Sequence, residues 1–589
     1  MYIKSLLIFF LISNIQAGPI TSEDFYKFVE GHKTILEESN LKETEKKEIS
    51  QKISNLQSKL DKRVEDEIFS CPFCHLATSC GNRICDQNEG ENERNCFEDC
   101  SIGPYRSYNG QTICKQVQEV FSPKNEVEVQ NLIKKAIKDG KRVKVIGRKH
   151  SDNGGICTDG ITIATDKLNK IFGVENFEGN ETVKVGPGAT MFEVNQWLHK
   201  INRSVGFAVP SYRSVTVGGV IANAVHGSSP YDTSILSSLL ASAKMVMANG
   251  EIKEFSEKNS PEDIFKAIKV NLGLLGVITE FRLKIRPQFN MEVKTTYLDE
   301  EDLWENGGVQ KLYKGCDWIH LHWFPRVQEV MKSCGKVVKK PAMKGATNKL
   351  IGENAPEFLM TLTKMILQYG STNSWAFTFL ENFRWLAYQM NPPFEIAGED
   401  GKPESAHSLV GNSHMLQASE YASFESRTIR TRDFELAFPS SQMVPALKAS
   451  QKYFEDNEIS IPLTGLFIRF SKVDDETLLS LTSSGGEFKL GSTAMYTELT
   501  YFKPAGLNPA EMEAYESVYA DWAKLMISKY HARVHWAKNK PFAFSLERNI
   551  GSFQDKWDRF QKVIDELDPK GIFSNDFGRS LGFTWKDRK

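Results

Sequence analysis

Chemistry on a phosphate-bearing ligand is suggested by three glycine-rich stretches: residues 147–151 (within VIGRKHSDNGG), 218–229 (GGVIANAVHGSS) and 273–276 (GLLG). Glycine lets backbone amides approach an anion closely, and successive amides form an anion-holding nest. In the first stretch a largely apolar run, residues 143–146, delivers Gly147 to a turn where amides can meet a pyrophosphate. Arg148 and Lys149 belong to the same candidate loop as Ser151, although their side chains can simply face solvent. Between them His150 stands at the junction of an apolar strand and a polar loop. Gly218, Gly219, Gly227, Ser228 and Ser229 would form a second wall. No G-x-x-x-x-G-K-[ST] string occurs, and no G-x-G-x-x-G follows the first strand, so neither a P-loop nor a Rossmann dinucleotide site is expected. Each loop alone reads as a plain turn. Together they predict a large phosphate-bearing cofactor.

Positioning those loops requires strands and helices, and the pattern supplies both. PKNEVEVQNLIKKAIKDG is an amphipathic helix ending at Gly140, KRVKVIG a strand and MFEVNQWLHKI a helix. TIATDKLNKIFGVE and ETVKVGPGA read as short strands, and GGVIANAVHGSS as a glycine-rich turn. ILSSLLASAKMVMANGEIKEFS predicts a buried strand, a hairpin at Asn249-Gly250 and a return strand. EDIFKAIKVNLGLLGVITEFRLKIRP predicts a helix, a turn and a strand stopped at Pro287. Helices alternating with short strands imply an α+β or α/β fold. Beyond residue 288 the pattern is longer and more aromatic, until FQDKWDRFQKVIDELDPKGIF predicts a last helix ended by Pro569 and Gly571.

The 589 residues are too many for one ordinary domain. A formal charge of −2 excludes the basic stripe of a nucleic-acid binder. Residues 1–17 read as a cleaved signal peptide, with Lys4, an apolar run and a small residue at the end. Residues 18–70 read as a charged helical segment. Residues 71–100 then hold six cysteines among Gly, Asn, Asp and Glu. Such a segment buries little, and disulfides would hold it together. Zinc or calcium is the competing reading, and no metal site is assigned. Asn180-Glu-Thr and Asn202-Arg-Ser are glycosylation sequons, in keeping with a secreted or endoplasmic-reticulum protein.

Several strings carry a family resemblance: VIGRKHS, CTDG, VTVGGVIANAVHGSS and VNLGLLGVITEF, then VHWAKN and LDPKGIFSNDF near the C-terminus. In that order they resemble the vanillyl-alcohol-oxidase-type (PCMH-type) flavoproteins, and within them the aldonolactone oxidases, L-gulono-1,4-lactone oxidase and its plant relatives. The resemblance covers residues 115–290 and 525–580 well and is patchy between. It implies an α+β fold with a two-subdomain FAD-binding domain at 115–288, a substrate (cap) domain at 289–530 and a segment at 531–589 that completes the active site. The helical segment (18–70) leads into a Cys-rich module (71–114), and residues 18–100 have no counterpart in the simplest members. Cys100 and Cys114 bracket a stretch resembling a two-cysteine stretch of the plant proteins, which implies that they pair.

The resemblance also implies roles. His150 would link covalently to the flavin 8α-methyl; no cysteine precedes the second glycine loop (PSYRSVTVGG), so a single bond is expected. Gly147, Arg148, Lys149, Ser151, Pro187, Thr216, Gly218, Gly219, His226, Gly227, Ser228, Gly276, Val277 and Ile278 would bind FAD. Lys538 would stabilise charge building on the reduced flavin, with His535 lining the pocket. Arg469 matches the arginine of a Glu-x-Arg pair in animal members, but Phe467 stands where their glutamate is; Glu498, in MYTELTYFKP, is the candidate to compensate. The implied reaction is oxidation of an aldono-1,4-lactone, of the ascorbate-biosynthesis type, with hydride transfer to the flavin and O2 reduced to H2O2. Pro187 matches a position where proline or glycine accompanies oxidase behaviour. Two other classes stay open: an oxidase of another polyol, and a secreted binding protein with a relic FAD fold, against which intact His150, Gly218, Gly219 and Lys538 argue. Two apolar segments, EFLMTLTKMILQYG and WAFTFLENFRWLAYQM, read as core helices, with peripheral membrane association, known in animal relatives, as the alternative. Oligomeric state stays open.

Overall fold

The computed structural model describes residues 107, 112, 114, 119–349, 374–398, 401–419, 431–502 and 509–585. The signal peptide, the helical segment, nearly all of the Cys-rich module and the first apolar segment lie outside them. The described residues form a mixed α+β unit containing three principal sheets.

The first sheet is small and parallel: β1 (Glu119–Phe121), β2 (Val143–Ile146) and β3 (Ile161–Ala164) in the order β1-β3-β2. Helix α1 (Glu126–Lys138) precedes β2 and buries Val129, Ile133 and Ala136, spaced to share one helical face. The Asn125 side chain accepts from the Glu128 amide, with acids in the first turn and lysines in the last, so cap and dipole both favour this helix.

The second sheet is antiparallel: β4 (Ile171–Phe177), β5 (Asn180–Val185), β6 (Leu240–Val246), β7 (Ile252–Ser256) and β8 (Val277–Lys284), ordered β4-β5-β8-β6-β7. The expected hairpin at Asn249-Gly250 joins β6 to β7, and Gly250 takes a left-handed φ of 83°. Helix α2 (Met191–Lys200) starts at a reciprocal capping box between Thr190 and Glu193. The glycine-rich turn expected across 218–229 is partly a helix instead: α3 (Val217–Ala222) starts where the Thr216 hydroxyl caps the Gly219 amide at 3.4 Å.

The third sheet has eight antiparallel strands: β9 (Asn290–Asp299), β10 (Trp318–Phe324), β11 (Glu329–Val338), β12 (Ser408–Asn412), β13 (Thr431–Phe438), β14 (Leu466–Lys472), β15 (Thr493–Phe502) and β16 (Arg533–Val534). Their order is β12-β9-β11-β10-β14-β15-β13-β16. Every residue of β10 is buried, so both faces of the sheet are covered at its centre. Leu283 of the second sheet and Leu436 and Ile468 of the third belong to one continuous apolar core. The segment WAFTFLENFRWLAYQM forms a helix, Ser374–Met390, with Phe377, Leu380 and Trp385 buried and Leu386 and Met390 exposed. Among the described residues no helix is long and apolar enough to cross a membrane.

The expected Cys100–Cys114 pairing is corrected. Cys114 bonds Cys157, their Cα atoms 5.2 Å apart, and Cys316 bonds Cys334. Cys157 lies in the loop after His150, so the chain folding back over Ile146 and Ile156 brings it, rather than Cys100, to Cys114.

Candidate active site

A cleft opens between the first and second sheets. Gly147, Arg148, Lys149, His150 and Ser151 line it, with Pro187, Thr216, Gly218, Gly219, Gly276 and Ile278. The glycines serve wall-to-wall packing as well as open amides. A Cβ on Gly147 would stand 2.2 Å from the Thr216 hydroxyl oxygen, and one on Gly218 would stand 2.9 Å from the Pro187 Cβ. Arg148 is solvent-exposed, and Lys149 holds the loop in a left-handed turn with φ of 61°. His150 is half-buried, its Nε2 3.3 Å from the Ser214 hydroxyl.

Four predicted cofactor residues do not line this cleft. Val277 packs in the apolar core behind it. Gly227 donates its amide to Ser234 O at 2.8 Å, and the Ser228 hydroxyl donates to Ile319 O of β10 at 2.5 Å. His226 turns toward the eight-stranded sheet. This stretch fastens the cofactor region to the sheet.

The sheet face receiving it is charged, and strand register assembles it. His322, Phe467, Glu498 and Glu435 are direct cross-strand neighbours on β10, β14, β15 and β13. Residues two apart along a strand share its face, which adds Arg469, Tyr496 and Asp433. Glu435 is the centre. One carboxylate oxygen stands 2.7 Å from His226 Nε2 and also accepts from Arg469; the other is 2.9 Å from Lys538 Nζ. Arg469 also donates to Glu498 at 2.7 Å, and Lys538 to the other Glu498 oxygen. Arg469 further reaches Ser211 Oγ at 3.3 Å. Two buried carboxylates thus balance two cations, which is the condition for burying such charges.

The electrostatics follow. Burial opposes ionisation of Glu435, but Lys538 and Arg469 outweigh it and hold the carboxyl well below the usual range. Burial alone would lower Lys538; Glu435 and Glu498 hold its ammonium above its usual range. His535 is driven down to about 3 by burial, so it is neutral. Its Nδ1 accepts from the Ala537 amide at 3.1 Å, which assigns the ring proton to Nε2, a buried donor with no partner among the described residues. Desolvation pushes Asp433 up to about 7.

The two regions are bonded together. The Asp152 amide donates to Ala537 O at 2.8 Å, and the Asn153 side chain donates to Trp536 O. Tyr212 spans the junction, its ring 6.2 Å from the His150 ring and 5.9 Å from Lys538 Nζ.

Ion pairs join Arg469, Glu498 and Lys538, His535 lies beside them, and Glu498 stands directly across from Phe467 on the neighbouring strand. Glu435 and Tyr212 were missed. For Glu435 the signal was present: Asp433 and Glu435 alternate with Phe434 and Leu436 in an otherwise apolar run.

A glycine-walled cleft, a histidine at its mouth and a balanced charge cluster beside it define a flavin-dependent oxidoreductase, and the comparisons agree. Residues 117–256 match the FAD binding domain, and residues 281–581, just over half of the chain, match the D-arabinono-1,4-lactone oxidase family. The chain belongs to that family. It is 26% identical to L-gulonolactone oxidase of Bos taurus across 78% of this chain and 93% of that one. It is 24% identical to L-gulonolactone oxidase 2 of Arabidopsis thaliana, across 81% and 82%. Its fold is similar to cholesterol oxidase from Brevibacterium sterolicum, with a TM-score of 0.66 at 17% identity over 81% of this chain and 96% of that one.

Proposed function

We propose that the protein is a secreted or lumenal oxidase of an aldono-1,4-lactone of the L-gulono-1,4-lactone type, with FAD attached through His150 and O2 as electron acceptor. The observation that carries the substrate class is the Arg469–Lys538–Glu435–Glu498 cluster. It offers donors and acceptors side by side, which suits the adjacent hydroxyls of a sugar lactone. Bound flavin supplies the two-electron acceptor whose reoxidation by O2 yields H2O2.

The residues divide the remaining work. Gly147 to Ser151 and the Thr216–Gly219 turn hold the cofactor. Arg469 and Lys538 are fixed in their charged forms, so they stabilise negative charge on the reacting hydroxyl oxygen rather than remove its proton. Neutral His535 presents only a donor. A carboxylate must therefore take the proton. Glu435 is tied to three partners and held well below the usual range, which leaves as acceptors Glu498 and, on the same face, Asp433, pushed up to about 7 by desolvation.

The test has two readouts. Yellow colour that survives acid precipitation, and is lost in His150→Ala, supports the covalent bond; acid-stable flavin remaining in that variant places the bond elsewhere. Peroxide release is then measured over L-gulono-1,4-lactone, D-arabinono-1,4-lactone and open-chain polyols. Turnover of polyols with none of the lactones would overturn the substrate assignment. Turnover with an artificial dye but not with O2 would overturn the oxidase assignment.

A further inference from the structure

Among the described residues that line the cleft, one buried cation has no counter-charge. Lys144 lies in the middle of β2, in the sequence Val143-Lys144-Val145-Ile146. Its side chain lines the cleft while only 4% of the residue is exposed. Among the described residues, no carboxylate, hydroxyl or carbonyl bonds its Nζ. Its surroundings are a backbone and a ring: a Cβ on Gly273 would come within 3.1 Å of Nζ, and the Phe577 ring centroid is 5.8 Å away. Gly273 takes a left-handed φ of 68°, and the Asn271 side chain holds its amide at 2.8 Å.

A buried ammonium without a counter-ion is costly, and proteins keep one where something completes it. The other buried lysines here show the contrast. Lys269 is paired with Glu257 and Glu476, and Lys556 with Asp475. Burial alone lowers Lys144 to about 8, and a neighbouring anion would favour its charged form again.

FAD carries one anionic group, its diphosphate. The isoalloxazine, ribityl, ribose and adenine parts are neutral at pH 7. We infer that Lys144 is the counter-charge of the cofactor diphosphate, completing from the strand the anion site that the Gly147–Ser151 amides begin. The inference rests on FAD occupying this cleft. Lys144 is then a positioning residue: it sets where the dinucleotide lies while His150, at the other end of the loop, anchors the redox end.

The experiment uses His150→Ala protein stripped of flavin with a chaotropic salt, with and without Lys144→Met. Binding of FAD, ADP, adenosine and riboflavin is measured by calorimetry and fluorescence quenching. The inference expects Lys144→Met to weaken FAD and ADP at least about tenfold while adenosine and riboflavin bind unchanged, because an ion pair of this kind is worth upward of one factor of ten. Lys144→Arg should retain most of the ADP affinity. The flavin-free Lys144→Met protein should also melt higher than its parent, because an unpaired buried charge is gone, while gaining less from added FAD. Equal losses for adenosine and ADP, or unchanged ADP binding, would overturn the role of Lys144. So would a flavin-free variant that melts lower than its parent yet gains as much from FAD. Failure of the Lys144-bearing protein to bind FAD at all would instead remove the cofactor assignment, and the inference with it.

Discussion

The cofactor cleft and the charged sheet face touch at His150, Tyr212 and Lys538, yet they are built differently. The cleft wall comes from short contiguous loops in which a few neighbouring residues do most of the work. Its glycines are needed because backbone and side chains meet there at closest packing, as Gly147 does with Thr216. The sheet face takes one or two residues from each of several strands. Glu435, Phe467 and Glu498 become adjacent only because β13, β15 and β14 are neighbours in a given register. A one-residue slip of any strand would turn its contribution to the other face. The cleft should therefore tolerate change outside its motifs, whereas the sheet face should respond sharply to single isosteric substitutions.

Glu435→Gln tests the sheet face most severely. It keeps the shape but removes the negative charge facing Arg469, Lys538 and His226. We expect kcat/KM to fall ~10²–10³-fold, the scale for losing a preorganised electrostatic partner. Flavin content should be unchanged, and the two are measured by steady-state kinetics and the visible spectrum. Loss of flavin together with activity would show that the regions are not separable.

The disulfide Cys114–Cys157 tests the other region. It closes a span of 43 residues around the His150 loop. Cys157→Ser should cost about 2–4 kcal/mol in chemical denaturation. The kinetics of the flavin-loaded fraction should stay close to those of the parent.

Phe467→Glu asks whether this site accepts the glutamate that the resemblance places here in animal members. Glu498 now stands directly opposite on β15, and like charges in a cross-strand pair repel. We expect kcat/KM to fall ~10-fold, about 1.4 kcal/mol. Adding Glu498→Gln should recover part of the loss; a gain from the single substitution would refute the view that the carboxylate has moved across the strand pair.

The smallest effect is a slope. Burial holds His322, which stacks on Phe467, down to about 4. An unfolded histidine titrates near 6.5, so between about 6.5 and 4 the unfolded chain binds a proton that the native ring refuses. His322 therefore makes stability fall as pH drops through that window, by up to ~1.4 kcal/mol per pH unit. Urea midpoints at pH 6.5, 5.5 and 4.5 should converge between parent and His322→Gln as pH falls. Parallel curves would mean that the ring is not buried in solution.

Much of the fold could be read in advance because its signals are local. The Asn125 cap, the Thr190–Glu193 box and the Asn249-Gly250 hairpin each act over a few residues. The glycine loops and His150 were legible for the same reason. The short helix Val217–Ala222 was hidden, because two glycines lower helix propensity and only the Thr216 cap and the surrounding packing favour it. The Cys114–Cys157 bond was hidden because spacing does not determine pairing.

What the sequence determined by itself was the inventory: a glycine-walled cofactor cleft, a histidine at its mouth, and an arginine and a lysine for the chemistry. What only the tertiary structure decided was which carboxylates meet those cations, and that Lys144 meets none among the described residues. Both follow from strand pairing and burial. They bring residues tens to hundreds of positions apart to within 3 Å, and they remove the water that would otherwise have shielded each charge alone.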